Sequence, residues 1–347
     1  MRQILFVLLA IPYLCIAQIP EYYADVDFSL DGEYLKNQLA ILITDTHTTN
    51  LIYTPEVWNA LKIADLDPQN SQNVLLIYGH DDNDGVFSTD RSRDKDLSCH
   101  TSGCIGLWNR EHVFPRSLGT PNLGTTNAGA DVHALRAADS QQNTIRSNRP
   151  FEAGDGAASY ITASGNFYPG DVWRGDVARM MMYMYVRYPT QCAATSVGAG
   201  STNYSPFGDM PDIFLIWNAE DPVSDFEIQR NNHIETEQGN RNPFIDNPYL
   251  ATMIWNGPVA EDRWEVLYTE TQTQKPLFVY PTVTNDCVTI HNLFEQDSKV
   301  TVFSVTGMQI DRTPENNRVC LDGLSSGMYF ISVKSSKMQN MFKVIKR

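Results

Sequence analysis

The sequence predicts an α+β protein: a largely helical first part that embeds a β-β-α unit, followed by a small β-sandwich. Three observations carry that expectation. Before residue 270, apolar residues recur at helical intervals in several separated segments. Between residues 111 and 146, two short apolar runs joined by a glycine-rich connection lead straight into a helical stretch. After Glu270 the pattern changes to period-2 alternation broken by turn residues about every ten positions. With 347 residues, 42% of them hydrophobic, the chain is long enough to bury the cores of two domains.

The elements follow in order. Arg2 precedes an apolar run from Ile4 to Ile16, and Cys15-Ile16-Ala17 ends in a small residue before Gln18, so residues 1–17 read as an export signal cleaved after Ala17. That run is too short for a spanning helix. Pro12-Tyr13-Leu14 lacks the small residues expected before a lipidated cysteine at Cys15. Residues 20–75 read as helical and accessory, with Asp31-Gly32 opening a helix from Glu33 to Ile43 whose stripe is Tyr34, Leu35, Leu39, Ile41 and Leu42. Val74 to Tyr78 reads as a strand. His80-Asp81-Asp82-Asn83-Asp84-Gly85 resembles the start of a calcium loop, but His at its first position and Arg91 at its twelfth make it an acidic turn.

The β-β-α unit comprises a strand at Glu111 to Phe114, a connection through Gly119, Gly124 and Gly129, a strand at Val132 to Leu135, and a helix from about Asp139. Asp171 to Tyr188 reads as a helix capped by Asp171, its Trp173, Val177, Met180, Met181 and Met184 forming a core stripe. Ser224-Asp225-Phe226-Glu227 is a capping box, and Gly239 ends the helix it opens. Arg230, Asn231, Gln238 and Arg241 suit either a nucleic-acid-facing wall or internal tethers. Thr271 to Pro276 reads as a linker, and Val300 to Val305 and Met328 to Val333 are sandwich strands.

Two runs carry the chemistry: Trp108-Asn109-Arg110-Glu111-His112-Val113-Phe114-Pro115 and Gln142-Asn143-Thr144-Ile145-Arg146-Ser147-Asn148. Hydrolysing a phosphodiester needs a base to deprotonate water and a divalent cation to neutralise charge on the phosphate and the leaving oxygen. His112 suits the base, since an imidazole with an unperturbed pKa of about 6.5 is largely neutral at physiological pH. Glu111 and Asn143 offer one charged and one neutral oxygen, hard donors that suit Mg²⁺, with Mn²⁺ or Ca²⁺ as alternatives. Neighbours on a strand point to opposite faces, so Glu111 and His112 can share a site only at a bend or strand end. Arg146 either pairs with a carboxylate or grips a phosphate. Arg110 and Arg116 are candidates for phosphate contacts, and His133 reads as a core or supporting residue.

The net charge of −15 argues against a generic polyanion binder, yet residues 90–190 hold 11 Lys and Arg against 10 Asp and Glu. In an exported chain the default for cysteines is disulfides, Cys99 with Cys104 and Cys287 with Cys320, leaving Cys192 over. The rival, a zinc site from Cys99, His100 and Cys104, lacks a second ligand pair.

The run Trp108 to Pro115, with Asp131 to Asp139 and Asn143-x-x-Arg146-Ser147-Asn148, resembles the bacterial endonuclease I family, which builds its site on a ββα-metal (His-Me) finger. Trp217-Asn218, Gln229 to Asn232 and Gln238 to Phe244 extend the likeness over roughly residues 25 to 260. The resemblance implies His112 as general base, Glu111 and Asn143 as metal ligands, and sequence-tolerant cleavage of DNA and RNA to 5′-phosphate ends. It departs at Val132-His133-Ala134, where the family often has Leu-His-Asn or Leu-His-His, and at Ala137, near which the family has Pro. The tail, through Pro281, Val305-Thr306-Gly307, Leu324-x-x-Gly327-Met328-Tyr329 and Lys343 to Lys346, is similar to sorting domains of the type IX secretion system.

The expected organisation is a signal peptide (1–17), an endonuclease I-like catalytic domain (18–270), a linker (271–276) and a sorting β-sandwich (277–347). The expected protein is a secreted, extracellular, monomeric Mg²⁺-dependent endonuclease without a small-molecule cofactor. Its partners would be nucleic acid and the type IX machinery. The rivals are a silent nucleic-acid- or surface-binding protein, in which one of Glu111, His112 or Asn143 would be expected to be lost, and a small-molecule phosphodiesterase.

Overall fold

The computed structural model describes residues 19–101, 103–264, 266, 278–291, 299–310, 312, 314, 317–334 and 339–347. The expected signal (1–17) and linker (271–276) lie outside the described residues. The chain divides into two compact units, Met1–Tyr268 and Thr269–Arg347.

The first unit is mixed α/β. In order it contains α1 (Gly32–Asp45), α2 (Glu56–Ala64), β1 (Leu66–Asp67), β2 (Asn70–Leu75), β3 (Ser92–Asp94), β4 (Trp108–His112), β5 (Leu135–Asp139) and α3 (Ser140–Arg146). Then come β6 (Tyr160–Ile161), β7 (Phe167–Tyr168), α4 (Arg174–Arg187), α5 (Asp212–Glu220), α6 (Asp225–Gln238), α7 (Pro243–Asp246) and α8 (Tyr249–Trp255). No helix among the described residues is long and apolar enough to cross a membrane.

The main core forms around α4, whose Val177, Met180, Met181 and Met184 are buried with Trp173, as its apolar stripe predicts. The helix starts at Arg174 rather than Asp171, because the Asp171 carboxylate is taken by the Gly156 N–H and the Tyr168 hydroxyl. On α1 the buried stripe is Leu35, Leu39 and Ile43, while Tyr34 and Ile41, expected inside, are 74% and 61% exposed. Tyr34 sits roughly 100° round the helix from Leu35, and Ile41, two residues from both Leu39 and Ile43, sits roughly 200° from each, close to the opposite face.

The strand expected over Val74 to Tyr78 ends at Leu75. The apolar run continues as core, but the Leu76 and Ile77 amides bond to the Arg91 and Ala137 carbonyls, and Tyr78 then turns to φ 75. At Gly79 a Cβ would lie 2.0 Å from the Asp90 carbonyl oxygen, so only glycine fits. The acidic segment that follows is a turn whose carboxylates accept backbone amides, Asp81 from Asn83, Asp82 from Arg91 and Ser92, and Asp84 from Val86. Helix α6 opens on the Ser224–Glu227 capping box and ends at Gly239, φ 92.

The second unit is all β: β8 (Phe278–Tyr280), β9 (Val283–Thr284), β10 (Cys287–His291), β11 (Lys299–Ser304), β12 (Gln309–Ile310), β13 (Arg318–Cys320), β14 (Gly327–Lys334) and β15 (Gln339–Lys346). One sheet runs β13-β10-β8 and the other β12-β11-β14-β15-β9. Val288, Ile290 and Val319 of the first share one core with Val302, Ile331, Val333 and Val344 of the second. Cys287 and Cys320 face each other in the β10–β13 register and form a disulfide.

Candidate active site

Strands β4 and β5 pair antiparallel, with Glu111 opposite Arg136 and His112 opposite Leu135. Both lie off the expected positions. Val132–Ala134 is a 3-10 turn rather than a strand because the Asp131 carboxylate accepts the His133 N–H at 3.0 Å, a local cap that competes with the ladder. Strand β4 ends at His112, which lets consecutive residues serve one site. Helix α3 starts where Asp139 accepts the Gln141 and Gln142 amides, at 2.8 and 3.1 Å. That start sets Asn143 over the hairpin. Its Nδ2 donates to Asn109 Oδ1 at 2.8 Å and to the Arg110 carbonyl at 3.3 Å. Both partners only accept, so the carboxamide oxygen is the atom left for the cleft.

His112 is pinned in the same way. Its Nε2 lies 2.9 Å from the Gly129 carbonyl, which can only accept, so Nε2 carries the proton and Nδ1 holds the lone pair. The ring stacks on Tyr53 with centroids 5.7 Å apart and planes at 27°. Burial pulls its pKa down to about 4, with Arg116, Arg110 and Arg146 adding to the shift and the Gly129 bond opposing it. The folded protein therefore holds a neutral imidazole.

Glu111 is buried, and its two partners among the described residues sit on one oxygen: the Tyr78 hydroxyl donates to Oε1 at 3.0 Å, and Arg146 Nη1 forms an ion pair with it at 3.2 Å. Burial raises its pKa to about 7, against the pull of Arg146 and Tyr78. Oε2 has no partner among the described residues. Two hard oxygens, Glu111 Oε2 and Asn143 Oδ1, thus come from residues lining one open cleft of about 480 Å³, together with Tyr53, Arg110, His112 and Arg116. This donor set fits a divalent cation, whose charge would also compensate a carboxylate otherwise costly to ionise.

Arg146, placed among the candidate catalytic residues on its sequence position, does not reach the cleft. It is fully buried, donates to the carbonyls of His112 at 3.2 Å and Val113 at 2.7 Å, and lies 4.7 Å from the Phe151 ring. Of the two roles left open for it, the geometry supports tethering Glu111 and the strand end. Arg110 is held over Tyr53 at 3.5 Å and Trp58 at 4.4 Å and donates to Thr54 Oγ1 and the Tyr53 carbonyl. Arg116 is exposed, with one long contact of 3.4 Å to the Gly124 carbonyl.

The segment 20–75 is therefore more than accessory, since Tyr53 lines the cleft and Trp58 backs Arg110. Nothing in the sequence marks Tyr53. Tyr78 had a faint signal, a polar-tipped aromatic closing an apolar run. His133 is a core residue whose Nε2 lies 3.2 Å from the Asn240 carbonyl. Arg230 pairs with Asp65 and with the Val132 and Leu135 carbonyls, Asn231 and Gln238 are fully buried, and Arg241 pairs with Asp246 and Glu235. These residues are tethers, not an exposed wall. Cys99 and Cys104 form a disulfide just before β4, and Cys192 is a buried free thiol.

A neutral imidazole, a carboxylate, a carboxamide and flanking cations thus line one cleft of the first unit, and comparison with known proteins gives the class of the protein. The profile for Endonuclease I matches residues 31–249, and the chain belongs to that family. The chain is similar to the extracellular ribonuclease of Bacillus subtilis (strain 168), 41% identical over 261 residues, which span 71% of this chain and 82% of that protein. It is also similar to the extracellular ribonuclease of Bacillus amyloliquefaciens, 40% identical over 253 residues, or 69% and 79% of the two chains. The profile for the Secretion system C-terminal sorting domain matches residues 278–347. The protein is a secreted, extracellular nuclease.

Proposed function

We propose that the protein is a Mg²⁺-dependent, sequence-tolerant endonuclease that hydrolyses RNA and DNA to 5′-phosphate ends, with β4, β5 and α3 as its ββα-metal finger. The observation that carries this reading is the His112–Gly129 bond, which fixes the tautomer and leaves Nδ1 as the proton acceptor. In the reaction, Nδ1 takes a proton from water as its oxygen attacks phosphorus. The 3′ oxygen departs and takes a proton from solvent water, to which Nδ1 afterwards returns its own, so one strand ends in a 3′ hydroxyl while the other keeps the phosphate. An anionic phosphodiester in the cleft opposes the downward shift of the His112 pKa and moves the base towards the range where proton transfer is efficient.

Glu111 Oε2 and Asn143 Oδ1 would hold the cation. When bound, it neutralises charge on the phosphate and on the departing oxygen. Tyr78 and Arg146 keep Glu111 in place, and Tyr53 keeps the His112 ring in plane. Arg116, and the edge of Arg110 left by its aromatic sandwich, supply positive charge where the substrate backbone runs. The ribonuclease relatives support RNA as a substrate, and the family supports DNA. Residues 1–17 serve as the export signal, and the sandwich is the address read by a type IX secretion system.

The test is cleavage of end-labelled RNA and plasmid DNA with Mg²⁺ and with EDTA. Fragmentation of both that chelation stops and added Mg²⁺ restores is the expected result. Hydrolysis of a small phosphodiester with long nucleic acid left intact would contradict the reading.

A further inference from the structure

Behind the Asn109–Asn143 pair lies a second depression, of about 460 Å³, lined by Gly103, Cys104, Ile105, Asn109, Gln141 and Ile145 among others. We propose that it is a nucleobase subsite that seats the unpaired base next to the scissile phosphate. The inference rests on the reading of the neighbouring cleft as the phosphodiester site and adds a preference for an unpaired strand over a duplex, which is cut more slowly with the subsite empty.

Asn143 lines the cleft, Asn109 lines the depression, and a 2.8 Å hydrogen bond joins them, so one amide pair forms the wall between the two. A chain whose phosphate sits on one side places a neighbouring base on the other.

The chemistry of the lining changes across that wall. The cleft carries Arg110 and Arg116, whereas among the described residues no charged side chain lines the depression. It therefore suits the uncharged part of a nucleotide. Ile105 and Ile145 are 70% and 41% exposed, an apolar pair that water covers in the free protein and that the faces of a base would cover in the complex. Thr144 Oγ1 is turned to the Ser140 carbonyl at 2.9 Å, and Ser140 Oγ is committed to the Cys104 carbonyl at 2.5 Å.

The polar groups left are amides. Asn109 Oδ1 accepts from Asn143, which leaves Asn109 Nδ2 as a donor, and Gln141 lies at the exposed rim. A donor and a swivelling carboxamide can meet the edge of any base, which agrees with sequence-tolerant cleavage. A base in a duplex has its faces stacked and its edge paired, so only an unpaired one can enter. The Cys99–Cys104 disulfide closes the loop that carries Gly103 and ties down Cys104, the residue before Ile105.

The experiment maps cleavage of an end-labelled single-stranded 20-mer carrying one central abasic residue. In the wild type, the one bond whose neighbouring base is missing is cut about tenfold more slowly than in the intact strand, and distant bonds are cut equally, giving an internal standard. The double variant Ile105→Ser, Ile145→Ser changes two exposed side chains outside the catalytic set. It should keep its melting temperature, cut an intact strand about tenfold less efficiently through KM, and lose the abasic dip. A wild type with no dip at any offset, or a variant that keeps it, overturns the subsite. A wild type that dimerises through this face, with the variant monomeric and no dip in either, assigns the patch to a second copy instead. A wild type that cuts no strand at all fails the underlying reading, which is a different outcome from uniform cutting without a dip.

Discussion

Tyr78→Phe isolates the device that presents Glu111. Tyr78 hydrogen-bonds to Oε1 and Arg146 pairs ionically with the same oxygen, so the free oxygen is defined by what holds its twin. The substitution deletes one 3.0 Å bond to a buried carboxylate and leaves the ring, which packs edge-on against Phe167 with centroids 5.0 Å apart. A hydrogen bond to a charged group contributes about 1.5–3 kcal/mol, and 1.4 kcal/mol is about tenfold in an equilibrium constant. Arg146 still holds Oε1, so the lower end applies: Mg²⁺ affinity should weaken about tenfold, the scale typical of losing a partner of a metal ligand. Isothermal titration of Mg²⁺, or of Mn²⁺ where the heat is small, reads the loss directly. Saturating metal should then return kcat to near the wild-type value. A folded Tyr78→Phe protein with unchanged metal affinity would refute the reasoning, as would one whose kcat stays depressed at saturating metal.

Three further outcomes follow from the same geometry. Arg146→Ala should destabilise the protein by about 3–5 kcal/mol in chemical denaturation, because it strands a buried carboxylate; unchanged stability with a raised KM for nucleic acid would return Arg146 to a phosphate-gripping role. His133 has its pKa lowered to about 4 by burial, with Asp131 opposing. The unfolded chain therefore binds the extra proton first, and the contribution of His133 is full above pH 6.5 and is lost as pH falls towards 4, at up to about 1.4 kcal/mol per pH unit. The Asp131 carboxylate, held below its ordinary value, loses its contribution only at lower pH, so His133→Gln should flatten the denaturation profile between pH 6.5 and 4, and an equal slope in both proteins would discard the assignment. Truncation after Tyr268 should leave nuclease activity intact, since the sandwich has its own core; a folded fragment without cleavage would show that the boundary is functionally wrong.

Much of the candidate site was legible, in that residues from two contiguous runs line one cleft. Glu111, His112 and Asn143 are named by type and spacing, and the capping box at Ser224 and the methionine stripe of α4 follow from local rules. What was not legible depends on contacts distant in sequence. Tyr53 reaches His112 across 59 positions and Tyr78 reaches Glu111 across 33, and no period or motif encodes either meeting. The true strand bounds were hidden by competition, since Asp131 caps a 3-10 turn where apolar alternation alone suggests a strand. Arg146 shows the same limit: its spacing puts it near Glu111 and Asn143, but only burial decides that it faces the protein rather than the cleft.

The central claim is that His112 is the base, its tautomer set by Gly129. The direct measurement is the single-turnover cleavage rate of His112→Ala at saturating Mg²⁺, beside its affinity for the same uncut strand. Loss of the base should cost about 10² to 10⁴ in rate, with affinity and melting temperature little changed. A variant that binds as the wild type does and keeps more than about a tenth of its rate would remove His112 from that role.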